Sequence, residues 1–224
     1  MNAFQFCIDL GPVIRKMREM AGSKQHLSNQ PLLRIQILDA AREIVVREGF
    51  DALSMRKIAE VVGYSPASLY LHFASRDAIA HALCAEGHAQ LLESLHAHDG
   101  VVEPVERLRA MAHAYVTFGQ THPTVYRLIF MQNPAYTDAA FNDVASAGET
   151  ALSMLTRTLA LVRHPAARAE TLWAALHGIV SLSLTASTAF TTPTATLIDE
   201  TLDLFLPTVI KKKPARRRPS ARGG

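Results

Sequence analysis

Cysteine is nearly absent. The two in 224 residues, Cys7 and Cys84, are far apart, so a disulfide framework is excluded and a reduced, cytoplasmic setting is expected. No run of about 18 apolar residues occurs, which removes a membrane-spanning helix. Aromatics make up only 7% of the chain with a single tryptophan, and no sustained period-two alternation is present, so sheets are not expected. No Gly-rich phosphate loop, nucleophile elbow or His-Glu-x-x-His string appears, so neither a catalytic constellation nor a cofactor site is expected. Of the ten histidines, His81 and His88 are seven apart and His96 and His98 two apart, with no Cys or Glu at ligand spacing. They read as solvated helix faces, not a metal site. The first residues, MNAFQFCIDLGPVIRKMREMAG, make a poor signal peptide, because Asp9 interrupts the apolar stretch and no basic region precedes it. Residues 1–30 read as a flexible extension, with Met17 or Met20 an alternative start.

Basic charge is also scarce once its position is considered. The formal net charge is +3 and the pI about 9.0. The last 14 residues, KKKPARRRPSARGG, hold seven of the 23 Lys and Arg and no acid, which leaves −4 on residues 1–210. This tail (211–224) reads as a disordered basic segment able to add salt-sensitive affinity for a polyanion. Residues 31–77 balance six cations against six acids, so any anion binding there has to come from a local patch.

What is present is a helix-rich pattern, and Leu53–Ile79 is its most informative stretch. Ser54 is placed to N-cap a helix whose apolar face is Met55, Ile58, Ala59 and Val62. Gly63 can take the positive φ that ends it. Ser65 and Pro66 then supply an N-cap and an N1 residue for a second helix. Leu69 and Phe73, four apart, face inward, which leaves Ala67, Ser68, Tyr70, Leu71 and His72 on other faces. Ser75 caps the next helix, with Asp77 in its first turn. Two short helices around a tight turn form a helix-turn-helix unit, and an 18-residue helix over Leu32–Gly49 precedes it.

With SLYLHFASRDAI at its end, this unit resembles the N-terminal DNA-binding domain of TetR-family repressors. The resemblance covers about Pro31 to Leu83, with the helix-turn-helix domain taken as 31–77. It implies that Tyr70 and His72 touch the DNA backbone, that Arg76 grips a phosphate, and that Pro66, Ala67 and Ser68 meet base edges. Ser54, Arg56, Lys57 and Ser65 complete the candidate DNA-binding set, through local charge and helix N-termini. Tyr70 could also be half-buried packing and His72 a neutral surface residue. Many relatives carry Lys or Arg at Pro66 or Ala67; here both are uncharged.

Beyond it the chain reads as six amphipathic helices over 78–210. They are Ser75 towards Ala97, one opening at Pro104, TVYRLIFM, about Asp138–Val162, about Ala166–Ala186 and about Ala195–Ile210. The fold class is all-α, nine helices as three plus six, the count known for the family. HPTVYRLIFMQ and LWAALHGIVSL resemble the effector domain of a subgroup named for a Trp-His-Gly signature, here Trp173, His177 and Gly178. Trp173 and His177 share a helical face. Gly178 would let a neighbouring helix approach closely, and His177 is most cheaply read as a hydrogen-bonded core histidine, with a ligand contact the alternative. Candidate effector-lining residues are Met111, Tyr115, Phe118, Tyr126, Phe130, Met154, Trp173 and His177; few are charged, which points to a hydrophobic or aromatic effector. The resemblance implies a homodimer paired through the two C-terminal helices on a palindromic operator in double-stranded DNA. It also implies release by the small-molecule effector. A helical small-molecule-binding protein without DNA affinity is the alternative reading.

Overall fold

The computed structural model describes residues 31–142, 149–186, 188 and 191–205. The N-terminal extension, the basic tail and the last residues of the final expected helix lie outside them. Among the described residues the chain forms ten α-helices, one 3₁₀ turn and no strand. They are α1 (residues 31–48), α2 (Met55–Val62), α3 (Pro66–Tyr70), α4 (Arg76–His96) and α5 (Pro104–Thr121). There follow α6 (Pro123–Phe130), α7 (Pro134–Asn142), α8 (Ala151–Thr158), α9 (Pro165–Thr185) and α10 (Thr194–Phe205).

Among the described residues ten helices replace the nine expected, because the single helix read over Asp138–Val162 is not continuous. It starts earlier, at Pro134, and a new helix begins at Ala151. Thr150 is extended (φ −122°, ψ 159°), and its hydroxyl accepts from the Ser153 amide while Ser153 Oγ accepts from the Thr150 amide. This reciprocal cap satisfies two of the amides a helix start leaves open, so it favours a fresh start over continuation. Leu155 and Leu159 face inward as read, and Leu152 is half-buried; Phe141 and Val144 lie outside the described side chains.

The chain divides into two compact units, Met1–Leu83 and Cys84–Gly224, with the division falling inside α4. In the first, Ile37, Ala41, Ile44, Leu53, Ile58, Leu69, Phe73 and Ile79 make the core. In the second, α5 is central. Its apolar stripe Leu108, Met111, Tyr115 and Phe118 is buried, and α9, α6, α10 and α8 all pack on it. Two glycines set the closest approaches. A Cβ on Gly87 would sit 2.3 Å from Val125 Cγ1, and one on Gly119 would sit 2.4 Å from Val180 Cγ1. Gly178 is different: among the described residues, nothing beyond its chain neighbours and its own helix backbone lies within 4 Å of its Cβ position. The close helix approach expected there occurs at Gly119 instead, where α5 meets α9.

Candidate DNA interface and effector core

The recognition hairpin is built by local rules. Ser54 Oγ accepts from the Lys57 amide at 3.2 Å and starts α2. Gly63 takes φ +73°, and the amides of Gly63 and Tyr64 return to the carbonyls of Glu60 (3.4 Å) and Ala59 (3.0 Å). This is a Schellman closure, which needs a residue tolerant of positive φ at C′. Ser65 Oγ then accepts from the Ser68 amide at 3.2 Å, and Pro66 occupies N1 of α3. The result is a five-residue helix pinned by Leu69 (0% exposed) and, just beyond it, Phe73 (5%).

The other side of this segment is open. Pro66, Ala67 and Tyr70 are exposed, Ser68 and His72 half-buried. Tyr70 is 55% exposed and Leu71 72%, so Tyr70 is not packed away. Leu71 lies on an outward face as its spacing indicates, whereas the exposure of Tyr64 in the turn has no such cue in the sequence. Ser54 and Ser65 are both exposed caps. Arg56 is exposed in the first turn of α2 and has no ion-pair partner among the described residues. Lys57 is half-buried and paired with Glu48, which lowers the free positive charge on this face. Arg76 opens α4 with its guanidinium 5.0 Å from the Phe50 ring centroid and 3.5 Å from Asp77. A second stack, Arg34 over Phe73 at 4.4 Å, joins residues 39 apart. Such cation–π contacts hold a guanidinium in place without neutralising it. Sequence spacing carries no signal for either.

Five of the eight expected effector residues meet in one aromatic cluster. Tyr126 lies against Tyr115 (5.9 Å, edge-on), Phe130 (4.9 Å) and His177 (5.7 Å, stacked); Trp173 stacks on His177 at 5.1 Å. A hydrogen-bonded chain runs through it. Tyr115 Oη and Tyr126 Oη are 2.9 Å apart, and Tyr126 Oη is 2.7 Å from His177 Nδ1. Either phenol can donate to the other, and the His177 tautomer sets which way the bond to Nδ1 runs. Burial, reinforced by Tyr126, holds the Tyr115 phenol well above its ordinary pKa; burial also raises that of Tyr126 and lowers that of His177. The chain is therefore uncharged at neutral pH. Met111 and Met154 are buried, and Thr158 Oγ1 joins them, reaching Met111 Sδ and the Met154 carbonyl. Phe118 stands apart, stacked on His122 at 4.8 Å.

A cavity of about 530 Å³ opens beside Phe118, between the end of α4 and the outer face of α5. Its other lining residues, among them Ser94, His98, His113 and Thr117, were not in the expected set. His113 and Thr117 lie on the more polar face of α5, and Ser94 and His98 at and just beyond the end of α4, where apolar periodicity gives no cue. Burial also pushes the Cys84 thiol up to about 12, and its Sγ donates to the Leu128 carbonyl at 3.8 Å, so it is not a reactive thiolate. Among the described residues no group of His, Cys, Asp or Glu could hold a metal ion, and no helix is long and apolar enough to cross a membrane.

A short, exposed helix on a Schellman turn, followed by a second unit that is all-helical among the described residues, has the form of a helix-turn-helix domain joined to a helical domain. Residues 37–83 match the bacterial regulatory proteins of the tetR family, and residues 108–205 match the tetracyclin repressor-like C-terminal domain. The chain belongs to the TetR family. It is 29% identical over 119 residues to the HTH-type transcriptional regulator UidR of Escherichia coli (strain K12), covering 47% of this chain and 61% of that relative's length. A protein of unknown function from Rhodococcus sp. RHA1 superimposes with a TM-score of 0.65 at 24% identity, over 78% of this chain and 94% of its own. A TetR-like transcriptional regulator from the same organism gives 0.59 at 21% identity, over 79% and 95%.

Proposed function

We propose that this protein is a ligand-responsive repressor that binds a palindromic operator as a homodimer. The observation that carries the reading is the division of the 66–73 segment, with Leu69 and Phe73 buried and Pro66, Ala67 and Tyr70 exposed. α3 enters the major groove with Pro66, Ala67 and Ser68 at base edges, and Tyr70 and His72 at the sugar-phosphate backbone. Small uncharged residues at its start allow close approach. Arg56 and Arg76 take phosphates, Lys57 does so once released from Glu48, and the capped N-termini at Ser54 and Ser65 add oriented amides. Dimerisation uses α9 and α10, which keep Leu182 and Leu204 exposed at 42% and 80%, and it sets two α3 helices about one DNA turn apart. The effector domain is of the Trp-His-Gly type. A hydrophobic or aromatic effector engages the cluster of Tyr126, Phe130, Trp173 and His177 and favours a dimer spacing that no longer fits the operator. A cytoplasmic location follows from this role.

The test is a salt-dependent gel shift on the DNA upstream of the protein's own gene. Arg76→Ala should weaken binding to all sequences alike and reduce the slope of log K against log salt by about one unit, whereas Ser68→Ala should alter sequence preference. An unchanged slope for Arg76→Ala removes the phosphate role. Failure to bind any duplex at low salt leaves the alternative, a helical small-molecule-binding protein, which the Lys57–Glu48 pair and the neutral start of α3 favour.

A further inference from the structure

We infer that the cavity over the outer face of α5 is a second small-molecule site, separate from the aromatic cluster, for uncharged planar aromatic compounds bearing a hydroxyl. At about 530 Å³ it lies within the range of small-molecule sites. The lining contains no Asp, Glu, Lys or Arg, so neither a cation nor a strong anion finds a formal counter-charge. The Phe118 and His122 rings, stacked at 4.8 Å with 22° between planes, supply a flat aromatic wall.

The hydrogen-bonding state of the lining decides the ligand's polarity. Ser94 Oγ donates to the Leu91 carbonyl at 2.6 Å. Thr121 Oγ1 donates to the Thr117 carbonyl at 2.8 Å. His113 Nε2 donates to Asp199 at 3.1 Å. Thr121 Oγ1, its own hydrogen spent, lies 2.9 Å from His122 Nδ1, and the Phe118 carbonyl lies 3.3 Å from it. Both neighbours can only accept, so Nδ1 carries the hydrogen and Nε2 keeps its lone pair. Four of the six polar lining side chains therefore have their hydrogens committed inside the chain and retain acceptor capacity, while Thr117 and His98 complete the polar lining. A ligand suited to this lining brings its own donor, as a phenolic O–H does. The site goes beyond the repressor reading and does not depend on DNA binding.

Isothermal titration calorimetry on the full chain tests this, with 2-naphthol as probe and 2-methoxynaphthalene as its donor-less partner. 2-Naphthol should bind at least tenfold more tightly. His122→Phe keeps the ring wall and removes the acceptor, so it should bring the two probes to within threefold of each other. Thr117→Trp, at an exposed position of α5, fills the space and should abolish binding of both; Ala114→Leu serves the same purpose if the first variant folds poorly. No heat from 2-naphthol up to 1 mM, equal affinity for the two probes, or binding that survives a folded space-filling variant would overturn the proposal.

Discussion

Removing one oxygen atom, in Tyr126→Phe, tests the account of the effector core most directly. The ring is fully buried (0% exposed), and its hydroxyl is the middle member of the Tyr115–Tyr126–His177 chain at 2.9 and 2.7 Å. Phenylalanine preserves the aromatic packing but takes from the Tyr115 hydroxyl, in a residue 2% exposed, and from His177 Nδ1 the partner they share. An unsatisfied buried polar group costs about 1–3 kcal/mol. His177 is half-buried and falls at the low end, so the variant should lose about 2–4 kcal/mol. At about 2–4 °C per kcal/mol for a chain of this size, Tm falls by about 4–16 °C. Tyr115→Phe should cost less, because Tyr126 keeps its hydrogen bond to His177. The double variant should cost less than the sum of the singles, since both ends of one bond are then apolar. Thermal and urea melts followed by circular dichroism at pH 7 measure all three. A Tm for Tyr126→Phe within 2 °C of the parent, or strict additivity in the double variant, would refute the hydrogen-bonded chain.

Two further predictions concern pH and packing. Asp199 accepts from His113 and is paired with Arg109, and both partners, His113 first, hold its pKa below the ordinary carboxylate value. A depressed carboxylate stabilises above its unfolded pKa and loses that contribution as pH falls through the folded value. The Tm gap between the parent and Asp199→Asn should therefore be open at pH 6 and close by about pH 2–3; a gap independent of pH would contradict the pairing. His177 works in the same pH direction, since its folded pKa is lowered, while Tyr115 and Tyr126, with raised values, lose their contribution only as pH rises beyond about 10. For packing, Gly119→Ala forces a Cβ to 2.4 Å from Val180 Cγ1 and should destabilise by about 1–3 kcal/mol, the cost of overpacking. Gly178→Ala meets open space and should gain up to about 1 kcal/mol from helix propensity. Equal losses at the two positions would mean that another copy packs against Gly178.

Much of the fold was legible because its signals are local. The Ser54 and Ser65 caps, the Gly63 stop, Pro66 at N1 and the inward Leu69 and Phe73 each act within four residues. Their geometry is therefore present in the order of residue types. The buried stripe of α5 was equally readable from its spacing. The start of α8 was not, because Thr150 as a cap and threonine within a helix look alike in an apolar-periodic stretch. Here the reciprocal bond with Ser153 decides.

From residue order alone follow the helix-turn-helix, the all-helical second half, and the list from which the aromatic cluster is drawn. Only the tertiary structure selects which list members meet: five rings join, while Phe118 turns away to His122. It moves the close helix contact from Gly178 to Gly119, commits Lys57 to Glu48, sets Arg76 over Phe50 and opens the cavity on α5. The reason is one of range. Caps and periodicity follow from neighbours along the chain, whereas ring stacking, ion pairing and helix approach depend on residues tens of positions apart, whose meeting is set by how the helices pack.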